Sequence, residues 1–301
     1  MEPMVDTDGT EAAASTRGRR RAAVLGLPVR HSLSPTLHQA AYEALGLRTW
    51  RYERIECGED ELPALVDRLG PEWAGLSLTM PLKRVALEVA ESVSPLAAAV
   101  GAANTLLLDG PRRADNTDVR GIAEALREAG VHAVEHAVVL GAGGTAQAAL
   151  AALAELGEST PTVIVRDVKK TRELRATAER LGVRPVVVGG LFEIPLPEAD
   201  VVISTLPAGA ADPLAATPWR RRPVVLDVVY ADWPTSLATS ALTAGCTVIS
   251  GLAVLLHQAV GQVQLMTGLA PPVDAMRAAL EAKAGVPSAP QPTGCAAADG
   301  G

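Results

Sequence analysis

Four polar stretches ahead of Ile122 hold side chains that recognise carboxylates and hydroxyls or move protons, each flanked by apolar residues that place it at a strand end or a helix start. The first is Gly26-Leu27-Pro28-Val29-Arg30-His31-Ser32-Leu33-Ser34-Pro35. On an extended backbone its two serine hydroxyls, two residues apart, point the same way and suit a carboxylate. Ser34 before Pro35 has equally the make-up of a helix cap. The second stretch, Ser77-Leu78-Thr79-Met80-Pro81-Leu82-Lys83, reads as a strand entering a helix, with Thr79 and Lys83 near the strand's exit. The third is Gly101-Ala102-Ala103-Asn104-Thr105-Leu106, and the fourth is Asp115-Asn116-Thr117-Asp118-Val119-Arg120-Gly121. In the fourth, Asn116 or Thr117 also fits as the cap of a following helix.

A fifth signal lies beyond them. The apolar run Ala137–Leu140 leads into Gly141-Ala142-Gly143-Gly144-Thr145-Ala146, and Gln147–Leu156 is rich in helix formers. This is a strand, a G-x-G-x-x-A turn and a helix. Gly141 permits the tight turn, Gly143 lets backbone approach a pyrophosphate, and Ala146 lets the helix pack closely on the sheet. The phosphates then meet free N–H groups at the helix start. The following strand, Thr162–Val165, ends at Arg166 and Asp167, about where a ribose-reading residue belongs. Arg166, with Lys170 one turn on, suits the 2′-phosphate of NADP. Asp167 suits the free 2′-hydroxyl of NAD, so NADP is favoured and NAD stays open.

The elements that must hold these groups alternate short apolar runs with longer amphipathic stretches, the pattern of parallel strands joined by crossover helices, and the fold class is α/β. Early strands are expected at Ala22–Leu25, Trp50–Ile55 and Ala74–Leu78, with helices near Pro35–Leu45 and Leu62–Leu69. A second series runs through Ala137–Leu140, Thr162–Val165, Val186–Val188, Val201–Ile203, Val224–Val229 and Val248–Ile249, Val- and Ile-rich as in strands covered on both faces. Leu252–Met266 and Asp274–Ala284 read as helices.

With 301 residues the chain is long enough for two cores. The expected division is a loose tail over 1–20, a substrate domain over 21–121, a Rossmann-type nucleotide domain over 122–251, helices over 252–285 that return to the first domain, and a second loose tail over 286–301. A composition 48% apolar and 20% charged supports packed cores, and a formal net charge of -7 argues against general nucleic-acid or membrane-surface binding. The partner is expected to be a small molecule, and monomer and homodimer are both open. Cys57, Cys246 and Cys295 lack metal or disulfide-framework spacing, so plain thiols are expected and no metal site. The lack of a membrane-length apolar run and of an apolar signal core points to the cytoplasm.

Together the four polar stretches resemble the shikimate dehydrogenase family, with signatures G-x-P-x-x-H-S-x-S-P, x-V-T-x-P-x-K, A-x-N-T and x-N-T-D. Agreement continues at Asp200–Gly209, Leu226–Tyr230 and from Gly251 to Ala259. The resemblance implies a reversible, NADPH-dependent reduction of 3-dehydroshikimate to shikimate in aromatic amino-acid biosynthesis. It assigns Ser32 and Ser34 to the substrate carboxylate, Thr79, Asn104, Asp118 and Gln258 to its hydroxyls, and Tyr230 to a place nearby. Lys83 and Asp118 become the catalytic pair. Thr205, Val228 and Gly251 join Gly141, Ala142, Gly143, Gly144, Thr145, Ala146, Arg166 and Lys170 beside the cofactor. The sequence departs from the pattern at Ser77, where asparagine is usual, at Leu78 for valine, at Val254 for methionine, and at Val165-Arg166-Asp167 for N-R-T. Quinate or aminoshikimate dehydrogenases of the same family, and a non-catalytic NADP-binding regulator, are the competing readings.

Overall fold

The computed structural model of the chain describes residues 18–192, 196 and 198–285. Residues 1–17, with Arg17, and 286–301, with Cys295, lie outside the described residues, and with them most of both expected tails.

The first sheet is built from β1 (Arg20–Gly26), β2 (Trp50–Glu56), β3 (Trp73–Leu78), β4 (Ser92–Val93), β5 (Thr105–Leu107) and β6 (Arg113–Asp115), in the order β2-β1-β3-β5-β6-β4. Interleaved are α1 (Ser34–Ala44), α2 (Leu62–Asp67), α3 (Val85–Val89), α4 (Pro95–Val100) and α5 (Asp118–Glu128). β1 pairs in parallel with β2 and β3, but β5 runs antiparallel to both of its neighbours, so this sheet is mixed, not parallel throughout. Arg20, expected to end the loose tail, and Arg21 are the first residues of β1. Arg20 pairs with Asp109 at 3.1 Å and lies over the Trp50 ring, while Arg21 pairs with Glu53 at 2.9 Å and covers Trp73. Each guanidinium therefore has a carboxylate partner and an aromatic face, which fixes it in the sheet.

The second sheet contains β7 (Ala137–Leu140), β8 (Thr162–Ile164), β9 (Val186–Val188), β10 (Val201–Ser204), β11 (Val224–Asp227) and β12 (Val248–Ser250). All its pairings are parallel, in the order β9-β8-β7-β10-β11-β12. That is the doubly wound arrangement, in which the chain leaves β7 and β10 in opposite directions and opens a crevice at their carboxyl ends. Helices α6 (Gly144–Glu155), α7 (Arg172–Leu181) and α8 (Ser236–Thr243) belong to this half. Central strands β7 and β10 are buried along their whole length, as their unbroken apolar runs require. In α6 the buried side is Ala146, Ala148, Ala149, Leu150, Ala152 and Leu153, mostly methyl groups, which bring the helix axis close to the sheet.

From β12 the chain enters α9 (Gly251–Thr267) and then α10 (Val273–Ala284). Leu256, Ala259 and Val263 of α9 and Met276 and Leu280 of α10 form one buried cluster with Leu37 and Ala41 of α1. The last helices thus pack on the half in which the chain began. No helix among the described residues is long and apolar enough to cross a membrane.

Candidate active site

Lys83 follows β3 through a turn closed by the Leu82 N–H to the Thr79 carbonyl at 2.8 Å, and its own carbonyl accepts from the Ala103 N–H at 2.7 Å. Its Nζ lies 2.6 Å from Asp118 Oδ2, and both side chains are largely buried. Asp118 opens α5, where exposed backbone N–H groups favour a carboxylate. Asn116 is the cap of that helix. Its Oδ1 accepts from the N–H groups of Asp118 at 2.9 Å and Val119 at 3.3 Å, and its amide donates to the Ala102 carbonyl at 2.8 Å. The Thr117 hydroxyl caps nothing and turns instead to Asn104.

Asn104 is the junction of the site. Its Oδ1 accepts the Thr117 N–H at 2.8 Å, which only donates, so Nδ2 must face the other way. From there Nδ2 donates to Asp118 Oδ1 at 2.8 Å, to Thr117 Oγ1 at 2.9 Å and, more weakly, toward Gln258 Oε1 at 3.4 Å. Both carboxylate oxygens of Asp118 are thereby engaged, one by an ammonium and one by an amide.

In the loop after β1, Ser32 Oγ donates to Ser34 Oγ at 3.2 Å. Ser34 is the first helical residue, and the start of this helix has no side-chain cap bond. Thr79 sits across from Gly26, and the two loops are joined by the Leu27 N–H to the Met80 carbonyl at 3.0 Å. Tyr230 packs on the cluster formed by α1, α9 and α10, and burial raises its phenol above the ordinary value.

Across from these groups lies the glycine loop. Gly141 follows β7 at φ +108, a backbone state that L side chains rarely adopt, and a Cβ there would fall 2.6 Å from Thr205 Oγ1. Thr205, at the exit of β10, donates that hydroxyl to the Leu140 carbonyl at 2.7 Å. Ala142 and Thr145 are partly exposed beside the loop, Ala146 is buried under it, and Gly143 caps α6 with open space where a Cβ would stand. Gly144 faces the other half, with Lys83 Cδ 3.9 Å from where its Cβ would be. Gly251 starts α9 so close to Val228 that any side chain would strike the Val228 carbonyl. Arg166 and Lys170 are exposed at the carboxyl end of β8. Asp167 between them accepts the Lys169 N–H at 2.9 Å through one carboxylate oxygen, which caps a turn, and Arg166 is exposed beside it. These residues fit a phosphorylated dinucleotide: open glycine backbone at a helix start and an exposed guanidinium at the end of the next strand.

The described residues therefore place an amine–carboxylate pair against a glycine loop at a helix start. Residues 24–106 match the family model of the shikimate dehydrogenase substrate binding domain, and residues 251–281 match that of the shikimate 5′-dehydrogenase C-terminal domain. A shikimate dehydrogenase (NADP(+)) of Natronomonas pharaonis is 37% identical over 265 residues, covering 85% of this chain and 97% of the relative. The chain belongs to the shikimate dehydrogenase family. The crystal structure of the shikimate dehydrogenase of Mycobacterium tuberculosis is similar at TM-score 0.78 and 48% identity, covering 87% of this chain and 99% of that one. A shikimate 5-dehydrogenase of Thermus thermophilus, solved with NADP(H) and shikimate, is similar at TM-score 0.76 and 35% identity over 88% of this chain and 99% of that one.

Around this family site, sequence reading alone missed a buried polar chain. Tyr52 OH donates to Ser77 Oγ at 2.6 Å, Ser77 donates to Gln262 Oε1 at 2.7 Å, and Gln262 Nε2 donates to the Asn104 carbonyl at 3.0 Å and Thr105 Oγ1 at 3.1 Å. Thr105 then donates to Asn104 Oδ1 at 3.0 Å. The available signal was Gln262, which lies one helical turn beyond Gln258 on the same face.

Proposed function

We propose that this chain carries out the reversible NADP-dependent reduction of 3-dehydroshikimate to shikimate, with Lys83 and Asp118 as the catalytic pair. The observation that carries the reading is the 2.6 Å contact between Lys83 and Asp118, set beside the glycine loop at Gly144. Bound nicotinamide supplies the hydride. As hydride reaches the carbonyl carbon, negative charge builds on oxygen and must be met by a proton. Lys83 gives that proton, and takes one in the reverse direction. Asp118 holds the amine in line, and Asn104 holds Asp118.

Ser32 and Ser34 bind the substrate carboxylate, Thr79, Asn104, Asp118 and Gln258 its hydroxyls, and Tyr230 bounds the site. Gly141 to Ala146, with Thr205, Val228 and Gly251, bind the dinucleotide, and Arg166 and Lys170 read its 2′-phosphate. The substrate domain is assigned to 21–121, the nucleotide domain to 122–251 and the returning helices to 252–285, with α5 running across the first divide. The reading places the protein in the cytoplasm as a monomer or homodimer.

Steady-state oxidation of shikimate, quinate and aminoshikimate with NADP and NAD tests it. The highest kcat/KM is expected for shikimate with NADP. A preference for quinate, or for NAD, overturns the corresponding assignment, and no turnover at all supports a regulatory homologue.

A further inference from the structure

Thr177 and Arg180 stand on α7, in the nucleotide-binding half, yet their polar atoms are directed at the other half. Thr177 Oγ1, fully buried, donates to the Val100 carbonyl at 2.6 Å. Arg180 Nε donates to the Ala99 carbonyl at 2.9 Å, and its Nη2 donates to the Val100 carbonyl at 3.3 Å and to Thr177 Oγ1 at 3.1 Å. Ala99 and Val100 end α4, where carbonyls have no partner within the helix and the helix dipole is negative, so a guanidinium is well matched to them. Gly101 follows in the left-handed conformation, with the Arg180 guanidinium filling the space where a Cβ would stand.

Beyond Gly101 the chain runs directly into the reaction site. The Ala103 N–H holds the Lys83 carbonyl at 2.7 Å, and Asn104 holds Asp118 at 2.8 Å. On the other side of Lys83, Arg84 pairs with Glu173, one turn before Thr177 on the same helix. One helix of the nucleotide half thus grips both backbone segments that meet at the Lys83 carbonyl. We infer that Thr177 and Arg180 are positioning residues for the reaction, holding residues 99–104 so that Lys83 and Asp118 stay aligned with the glycine loop; this rests on the proposed role of that pair. Displacement of a reacting group by about 1 Å costs on the order of 100-fold in rate, so small shifts of this segment matter.

The test is shikimate oxidation by wild type, Lys83→Ala, Thr177→Val, Thr177→Ser and Arg180→Gln, with shikimate carrying hydrogen or deuterium on the carbon that gives up its hydride. Thr177→Val and Arg180→Gln are expected to lower kcat roughly 10-fold while KM for shikimate moves less than about threefold, and to raise the isotope effect on kcat. Thr177→Ser keeps the hydroxyl and is expected to retain wild-type kcat. A merely structural role would lower the melting temperature without moving the isotope effect. Folded Thr177→Val and Arg180→Gln proteins with wild-type kcat overturn the inference, as do equal losses in the Val and Ser variants. Should Thr177→Val fail to fold, Arg180→Gln, an exposed change, decides alone. An active Lys83→Ala, or wild type that does not oxidise shikimate, refutes the underlying reading. An inactive Lys83→Ala beside unimpaired Thr177→Val and Arg180→Gln refutes the inference only.

Discussion

At the scale of single residues, the ribose end of the cofactor site shows how a neighbour's commitments decide a role. Asp167 reads from sequence as a rival to Arg166, but its carboxylate accepts the Lys169 N–H. That contact turns one carboxylate oxygen away from the ribose end, and the exposed Arg166 is the group proposed to meet a 2′-phosphate. Arg166→Gln is expected to raise KM for NADP roughly 10-fold or more, since a charge-assisted hydrogen bond is worth about 1.5–3 kcal/mol. KM for NAD should barely change, and equal effects on the two cofactors would show that the guanidinium does not read the phosphate. The residues of the site were legible because Lys83, Asn104 and Asp118 lie in short motifs of fixed spacing. The Tyr52, Ser77 and Gln262 links were not, because hydrogen bonds between residues as far apart as 77 and 262 leave no local pattern.

Among elements, those with a full apolar period were readable: Ala137–Leu140 and Val186–Val188 form strands with the expected bounds. Short β4, β5 and β6 were not, because two or three residues cannot display an alternation. Helix α1 carries a consequence of its packing. Its His38 is fully buried, its ring stacks on Tyr52 at 3.9 Å, and Nδ1 donates to the Ser34 carbonyl at 3.0 Å. Burial, only partly offset by that carbonyl, pulls its pKa from 6.5 down to about 4. Between those values the unfolded chain binds a proton that the folded chain does not, so stability is lost as pH falls from 6.5 toward 4. The loss attributable to this ring is about 3 kcal/mol at most. Urea unfolding across that window should show a shallower pH dependence in His38→Phe than in wild type, and identical slopes would contradict the assignment.

For the whole molecule, the decisive arrangement is that the two ends of the described chain meet. The α1, α9 and α10 cluster closes the first half around helices that leave the second, so Gln258 and Gln262 reach Asn104, 154 and 158 positions earlier. Leu256, 1% exposed within that cluster, is a test of the closure. Leu256→Ala should lower the unfolding free energy by about 2–5 kcal/mol in urea titration. A loss below about 1 kcal/mol would mean that the helices are only loosely docked. The return of these helices was legible in the long apolar run after Gly251, whereas the gripping of the catalytic segment by α7 was not, because Thr177 and Arg180 look like ordinary helix residues until the halves are assembled. Initial rates of NADPH formation from shikimate by wild type and Lys83→Ala decide whether Lys83 carries the proton. Wild type should turn over, and Lys83→Ala should keep no more than about one hundredth of its kcat with KM changed only a few fold. Undiminished kcat in Lys83→Ala would mean that Lys83 is not the proton carrier.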